Sequence, residues 1–457
     1  MSLSYDELFS VYFAEQGPHY LLSEGWQLET NPPLYFLLLD GWIALFGDSA
    51  AAVRSLSLLA SAATLPVVFR IARSIGLRDG AWLAAALTLT SALDARYALM
   101  ARPYALWLFV LALALLALTE AIMAATPVQA RRWALGFAGA GLVALYLHDA
   151  TLVFLAAADA VFVLEWLWRR RSEPQRLVAW ALPQLLMAIA GAPQLLVILA
   201  QRNSANIAWI PPVDPAGLSQ AAIELLSGHE FPFGSFQGPA LLLTVLLVLI
   251  LVPLRAPRAA LPLAGLALLG LALLLGAGIL LPRTALWLLL PLALLQAAAL
   301  TAVRTAWLRA GLIGLALGLG ALDTAFCLWE YQPEPWQDFL ATLEAERQPG
   351  DVLVLLNGAP ATALRYYQAG AGAALYRWDA TAIDGPGTAV RALDDRVLPL
   401  APIGEIGIRN LLQQGRAVWL ISRLRAQFEP EAALAAPFAV TRRLRQRSVQ
   451  LIRLAPP

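Results

Sequence analysis

The chain has no lysine: every one of its 32 basic residues is an arginine. Schiff-base lysine chemistry is therefore excluded. One cysteine, Cys327, lies inside an apolar run, so neither a disulfide framework nor a cysteine metal site is available. The three histidines, His19, His148 and His229, are scattered and spell no metal motif. Charge of either sign is scarce, at 14% of 457 residues with a net charge of +1, and no basic tract is dense enough to argue for nucleic acid. The start shows no n-region, h-region and cleavage site of a secretory signal.

What is present is apolar sequence. Hydrophobic residues make up 60% of the chain and mean hydropathy is +0.66, which reads as a polytopic membrane protein. A spanning helix needs roughly 20 apolar residues, fewer when flanking side chains snorkel. About ten segments qualify: Ser55 to Phe69, Gly80 to Leu93, Pro103 to Ile122, Trp133 to Leu147, Thr151 to Trp168, Leu177 to Ala200, Pro239 to Leu254, Ala259 to Leu281, Thr284 to Val303 and Ala310 to Leu328.

Arginine placement orients them. One set of connections carries Arg70, Arg73, Arg78, Arg131, Arg132, Arg169, Arg170, Arg171, Arg176, Arg255, Arg258, Arg304 and Arg309, and the alternate set only Arg54, Arg96, Arg102, Arg202 and Arg283. By the positive-inside rule the first set is cytoplasmic and the second faces outward. This parity requires Pro33 to Phe46, an apolar run of about 14 residues, to lie at the outer surface as an interfacial helix. Met1 then sits outside with no helix before it, so the reading expects that a first transmembrane helix is missing. The outer connection from Gln201 to Gly238, with Trp209-Ile210-Pro211-Pro212, is expected as a partly helical interfacial loop.

After Trp329 the composition changes, and Gln332-Pro333-Glu334-Pro335 opens a soluble tail. Trp336 to Arg347 has helical periodicity, Asp351 to Leu356 is a buried-type strand, and Pro360 suits the first position of a helix running to Gln368. Ala417 to Ser422 is a further strand, and Val440 to Leu444 with Val449 to Leu454 forms a terminal hairpin. The expected organisation is residues 1–48 as an outer loop with interfacial helices, 49–329 as a transmembrane helical domain, and 330–457 as a soluble α/β domain on the outer side.

Several polar residues fall near the outer face. Asp6-Glu7 is a carboxylate pair, although Ser4-Tyr5-Asp6-Glu7 also reads as a capping box with Ser4 at the N-cap and Glu7 at N3. Arg102 at the mouth of a span, and Arg283 after Pro282 on the same face, read either as snorkelling anchors or as two guanidinium forks converging on a phosphate. His148-Asp149 is a polar step at a span end. Asp159 lies within a span, where a carboxylate is a functional candidate, though it could instead only pair with a polar group such as Gln184 or Gln194, or be neutral.

Taken together, Asp6-Glu7, Asn31-Pro32-Pro33-Leu34-Tyr35, Leu45-Phe46-Gly47-Asp48-Ser49, Ala52-Val53-Arg54-Ser55, Ala101-Arg102-Pro103-Tyr104, Leu145-Tyr146-Leu147-His148, Trp209-Ile210-Pro211-Pro212, Pro282-Arg283, Trp336-Gln337-Asp338-Phe339 and Pro349-Gly350-Asp351-Val352 occur in a telling order. In this order the sequence resembles the GT-C superfamily of polytopic glycosyltransferases, in particular the family 39-like group of protein mannosyltransferases and aminoarabinose transferases. The resemblance spans nearly the whole chain.

It implies transfer of a sugar, with inversion, from a polyprenyl-phosphate-linked donor to a protein, lipid or glycan acceptor at the outer face of the inner membrane. Asp6 matches the position of the family's catalytic acidic residue, which acts as general base on the acceptor, with Glu7 beside it. Arg102, Tyr104, Arg283, His148, Asp149 and Asn31 fall at substrate-binding positions, and a divalent cation is a possible cofactor. The chain departs from the family at Met100, where Glu is frequent, and at Asn31, where His is frequent. Two other classes remain open. A secondary transporter would use Asp159 but would show internal repeats, and none is visible; a lipid-linked glycan ligase or polymerase would share the donor.

Overall fold

In the computed structural model, the described residues are 2–27, 29–202, 260–330, 333–356, 359–378, 400–423 and 438–456. The expected span Pro239 to Leu254 and the Trp209-Ile210-Pro211-Pro212 motif lie outside them.

The chain begins with three short helices, α1 (Tyr5–Ala14), α2 (Gly17–Ser23) and α3 (Leu34–Phe46). Pro33 caps α3 at its start, and Gly47 ends it at φ +81°, a backbone angle that glycine adopts without a Cβ penalty. At 13 residues α3 is about 20 Å long, short of the roughly 30 Å hydrocarbon thickness.

A helical bundle follows: α4 (Ala50–Ser74), α5 (Ala81–Leu89), α6 (Ala92–Ala98), α7 (Tyr104–Met123), α8 (Pro127–Leu145), α9 (Thr151–Arg169), α10 (Pro174–Gln201), α11 (Ala260–Gly276), α12 (Pro282–Ala285), α13 (Leu289–Ala302) and α14 (Ala306–Glu330). Side-chain caps set several starts: Ser49 Oγ accepts from Ala52 N at 3.3 Å, and Thr126 Oγ1 accepts from Gln129 N at 3.3 Å. Among the described residues, six helical stretches are long and apolar enough to cross a membrane: Ala50–Ser74, Tyr104–Met123, Thr151–Arg169, Pro174–Gln201, Pro282–Ala302 and Ala306–Trp329. Large apolar side chains such as Leu196, Trp307 and Trp329 point outward from these helices, as a lipid-facing surface requires. The protein is a multi-pass membrane protein, and six of the expected spanning stretches meet this test of length and composition among the described residues.

The expected span Gly80 to Leu93 is not one helix. The backbone breaks at Thr90 and Ser91, where Ser91 Oγ accepts from Asp94 N at 3.4 Å and starts α6. The nine residues of α5 cover only about 14 Å. The break is held from α14, whose Thr324 Oγ1 donates to the Thr90 carbonyl at 3.0 Å. The signal was present as Ser91-Ala92-Leu93-Asp94, an N-cap pattern inside an otherwise apolar run.

The tail forms α15 (Trp336–Glu346), β1 (Val352–Leu355), α16 (Ala359–Tyr366), β2 (Ala374–Trp378), β3 (Ala401–Ile403), α17 (Glu405–Gln413), β4 (Val418–Arg423), β5 (Ala439–Gln446) and β6 (Val449–Ala455). Its sheet runs β3-β2-β1-β4-β6-β5. The first four are parallel, β6 lies antiparallel to β4, and β5 closes the edge as a hairpin with β6. Val352 to Leu355 are fully buried, as central parallel strands are. The sheet domain is not a loose appendage: α16 packs on α1, Arg365 pairs with Glu15 at 3.2 Å, and Tyr366 Oη donates to the Asp48 carbonyl at 2.7 Å.

Candidate functional site

Consecutive helix residues point about 100° apart, so the paired carboxylates at the start of α1 have separate fates. Glu7 faces inward and is fully buried. Its Oε2 accepts from Ser4 N and Ser4 Oγ, both at 2.9 Å, and from Arg54 Nη2 at 2.7 Å. Its Oε1 accepts from Arg54 Nε at 2.7 Å and from Ala101 N at 3.0 Å. The carboxylate thus joins α1, α4 and the α6–α7 loop, and the bidentate Arg54 fork satisfies its charge. The geometry gives Glu7 an anchoring task, and no lone pair faces outward. Asp6 is exposed, and among the described residues no hydrogen bond or ion pair engages its carboxylate.

Arg102 lies directly beneath Asp6. Its Nη1 donates to the Asp6 carbonyl at 3.4 Å and to Ser10 Oγ at 3.3 Å, and sits 3.6 Å from Glu29 Oε2. The guanidinium carbon lies 5.9 Å from the centre of the Tyr104 ring. The residue is only 6% exposed, yet its Nε has no hydrogen-bond partner among the described residues. A buried guanidinium N–H left unmatched is costly, and it marks where an acceptor belongs.

His148 stacks on Trp107 with ring centres 4.5 Å apart, and Trp107 is itself fixed by donating from Nε1 to Thr151 Oγ1 at 2.8 Å. Nδ1 accepts from Ala150 N at 3.1 Å, which assigns the ring proton to Nε2. Burial, and then the charges of Arg283 and Arg102, push the imidazole down to about 3, so it is neutral at physiological pH. Arg283, in the short α12, is therefore within electrostatic range of the same place. Asp149 accepts from Gln194 Nε2 at 3.0 Å; burial and the nearby Glu29 raise its carboxyl to about 7 against that hydrogen bond.

Asn31 does not reach Arg102 itself. Its N and Nδ2 donate to Glu29 Oε1 at 2.8 and 2.7 Å, so Asn31 orients Glu29, whose other oxygen faces Arg102. Sequence reasoning missed Glu29, Ser10 and Gln201, and considered Gln194 as a partner of Asp159 where it donates to Asp149. The signal for Glu29 was its place two residues before Asn31, ahead of the double proline. Gln201 Nε2 donates to the Glu29 carbonyl at 3.1 Å and closes this corner from α10. A small pocket beside it is lined by Trp26, Glu29, Asn31, Phe36, Gln194 and Gln201.

The structure thus gathers Arg102, Asn31 and Asp149 around Glu29, with Tyr104 beside Arg102 and His148, Arg283 within electrostatic range of His148, and Asp6 at the rim. Among the described residues no group of three or more His, Cys, Asp or Glu side chains is placed to hold a metal ion. Asp159 is set apart, its Oδ1 accepting from Trp180 Nε1 at 2.8 Å.

These features define a fold class: a polytopic helical bundle with short helices at one end, the first of them carrying an exposed acidic residue, joined to a six-stranded sheet domain. The fold is shared with ArnT from Cupriavidus metallidurans. In the apo state that structure matches with a TM-score of 0.64 and 13% identity, over 99% of this chain and 93% of that one. The same protein bound to undecaprenyl phosphate matches with a TM-score of 0.63 and 14% identity, over 98% of this chain and 92% of that one. No protein-family model and no curated protein matches the sequence.

Proposed function

We propose that this chain is a membrane glycosyltransferase that moves a sugar from a polyprenyl-phosphate-linked donor to a hydroxyl or amine acceptor at the outer membrane face. The observation that carries the reading is the buried Nε of Arg102, which has no partner among the described residues, with His148 and Arg283 within electrostatic range of one another nearby and the exposed Asp6 above the Arg102 guanidinium. Three donors of this kind suit a phosphate. The shared fold supports the choice of phosphate, because ArnT binds undecaprenyl phosphate.

In the proposed step an acceptor oxygen or nitrogen attacks the anomeric carbon from the side opposite the phosphate. The new bond forms as the anomeric C–O bond to phosphate breaks, and the configuration inverts. The acceptor proton passes to the Asp6 carboxylate, and the electron pair of the broken bond leaves on polyprenyl phosphate. Arg102, Arg283 and the Nε2–H of His148 stabilise the charge growing on that phosphate. Tyr104 and Trp107 hold Arg102 and His148 in place. The apolar outer faces of the bundle accommodate the lipid tail. The sheet domain lies on the extracytoplasmic side in this reading, and the membrane is the inner one.

The test is transfer from a panel of radiolabelled polyprenyl-phosphate sugars in membranes containing this protein, with Asp6→Asn as the comparison. Transfer that the substitution abolishes, with the protein still folded and inserted, is the expected result. Full transfer by Asp6→Asn removes Asp6 as base, and no transfer from any donor overturns the reading.

A further inference from the structure

One carboxylate ties the sheet domain to the first turn of α1. Glu334 Oε2 accepts from the backbone N of Tyr5 at 2.9 Å and from Trp336 Nε1 at 2.8 Å. Its Oε1 accepts from Nε of Arg423, the last residue of β4, at 2.5 Å and from Ser448 Oγ in the β5–β6 turn at 3.1 Å. The Arg423 guanidinium lies over the Tyr5 ring, 4.9 Å from its centre. Tyr5 N is one of the helix N–H groups without an intrahelical acceptor, and here the partly buried Glu334 carboxylate satisfies it.

The clamp adjoins Asp6. Tyr5 is its immediate neighbour, and the Arg423 charge acts on Asp6 as well as on Glu334. On the other side Glu7 is fixed to Arg54 of the bundle. Asp6 therefore stands between two anchors, one in the bundle and one in the sheet domain. Tyr367 Oη adds to the second, lying 3.0 Å from Ser2 Oγ and accepting from Leu3 N at 3.0 Å. The inner side of α1 is already secured by buried Leu8, Val11 and Phe13. The Glu334 contacts instead act where the helix is polar and where its orientation decides the direction of the Asp6 carboxylate.

We infer that Glu334 and Arg423 are positioning residues for Asp6, acting through Tyr5, so that the sheet domain completes the active site. This inference rests on the reading of Asp6 as the base. It also gives the soluble domain a role in the reaction beyond acceptor docking or stabilisation of the bundle.

The experiment measures transfer per folded protein by the full chain in membranes, from the polyprenyl-phosphate sugar that the unaltered protein uses best. Glu334→Gln and Arg423→Gln are made singly and in an Asp6→Glu background, where the carboxylate is already displaced by a methylene. Each single change is expected to lower kcat by about tenfold to hundredfold, with the donor KM within about twofold, because misplacement of a reacting group acts on the turnover step. In the Asp6→Glu background the same changes are expected to cost less than about threefold, since two substitutions acting through one group are not additive. Arg423→Lys, which restores charge without the planar fork, is expected to recover part of the rate.

Equal losses in both backgrounds, together with a lowered unfolding temperature, identify a merely structural clamp and overturn the inference. Unchanged kcat in Glu334→Gln and Arg423→Gln, with Asp6→Asn inactive, overturns it too while leaving the base assignment standing. Full transfer by Asp6→Asn removes both.

Discussion

Glu7→Gln separates the two adjacent carboxylates most cleanly. The substitution keeps the volume and one acceptor oxygen, but it turns the Oε2 position, which now receives Ser4 N, Ser4 Oγ and Arg54 Nη2, into an NH2 group that can only donate. Either orientation of the amide sets donors against donors on one side. It also removes the negative charge that offsets Arg54, which is itself buried. Removing one member of a buried pair costs about 3 to 5 kcal/mol, and for a large domain each kcal/mol moves the midpoint by about 2 °C, so the expected fall is roughly 6 to 10 °C. The assay is thermal unfolding of the purified protein in detergent beside transfer per folded protein. Reduced stability with transfer retained below the new midpoint is the expected pair of results. The double change Glu7→Gln with Arg54→Met should recover much of the loss, because no buried charge is then left alone. Unchanged stability with transfer abolished would refute the anchoring role and move Glu7 into the chemistry.

Other expectations follow from the same geometry. Arg102→Gln removes the buried guanidinium and should lower kcat/KM for the donor by about a hundredfold, as loss of one transition-state donor does, read by transfer kinetics; a change under about threefold would dismiss Arg102 as a phosphate ligand. The raised carboxyl of Asp149, at about 7, keeps its proton in the folded state where an unfolded Asp has lost it, so this group's stabilisation is greatest at low pH and declines as pH rises toward 7. Unfolding midpoints from pH 4 to 8 should therefore decline less with pH in Asp149→Asn than in the unaltered chain. His148 acts in the opposite sense: its folded value of about 3 means that the unfolded chain takes up a proton first, and stability falls on acidification below the ordinary histidine range. His148→Gln should flatten that acid arm, and an unaltered arm would show that the ring is not held neutral.

The long apolar helices, the double-proline start of α3, the terminal hairpin and the central strands were legible because each rests on local pattern. Hydrophobic length, caps and turn residues act within a few positions of one another. What was not legible depends on distant partners. The break at Thr90 and Ser91 is stabilised by Thr324 from α14, and Glu29 becomes a site residue only because α10 and the α6–α7 loop converge on it. Strand β2, whose side chains are only half-buried, and the three-residue β3 carry little periodic signal of their own. The sequence pattern at Asp6-Glu7 supported both capping and chemistry; the structure places the capping bond on Glu7 and leaves the Asp6 carboxylate exposed.

That division has a physical basis in the first turn of α1. A base at a membrane surface must stay accessible to an acceptor, so it cannot be fixed by burying its own carboxylate. Direct hydrogen bonds to the base would also occupy the lone pairs that must take the proton. Rigidity therefore has to be supplied through neighbours. Glu7 supplies it from the bundle side by joining Arg54 and Ala101 N, and Glu334 supplies it from the sheet side through Tyr5 N. Arg102 adds a third constraint by donating to the Asp6 carbonyl, so the group that would face the donor phosphate also fixes the backbone of the proposed base. Movement of Arg102 toward a bound phosphate would thus be felt at Asp6, coupling donor occupancy to the placement of the group that activates the acceptor.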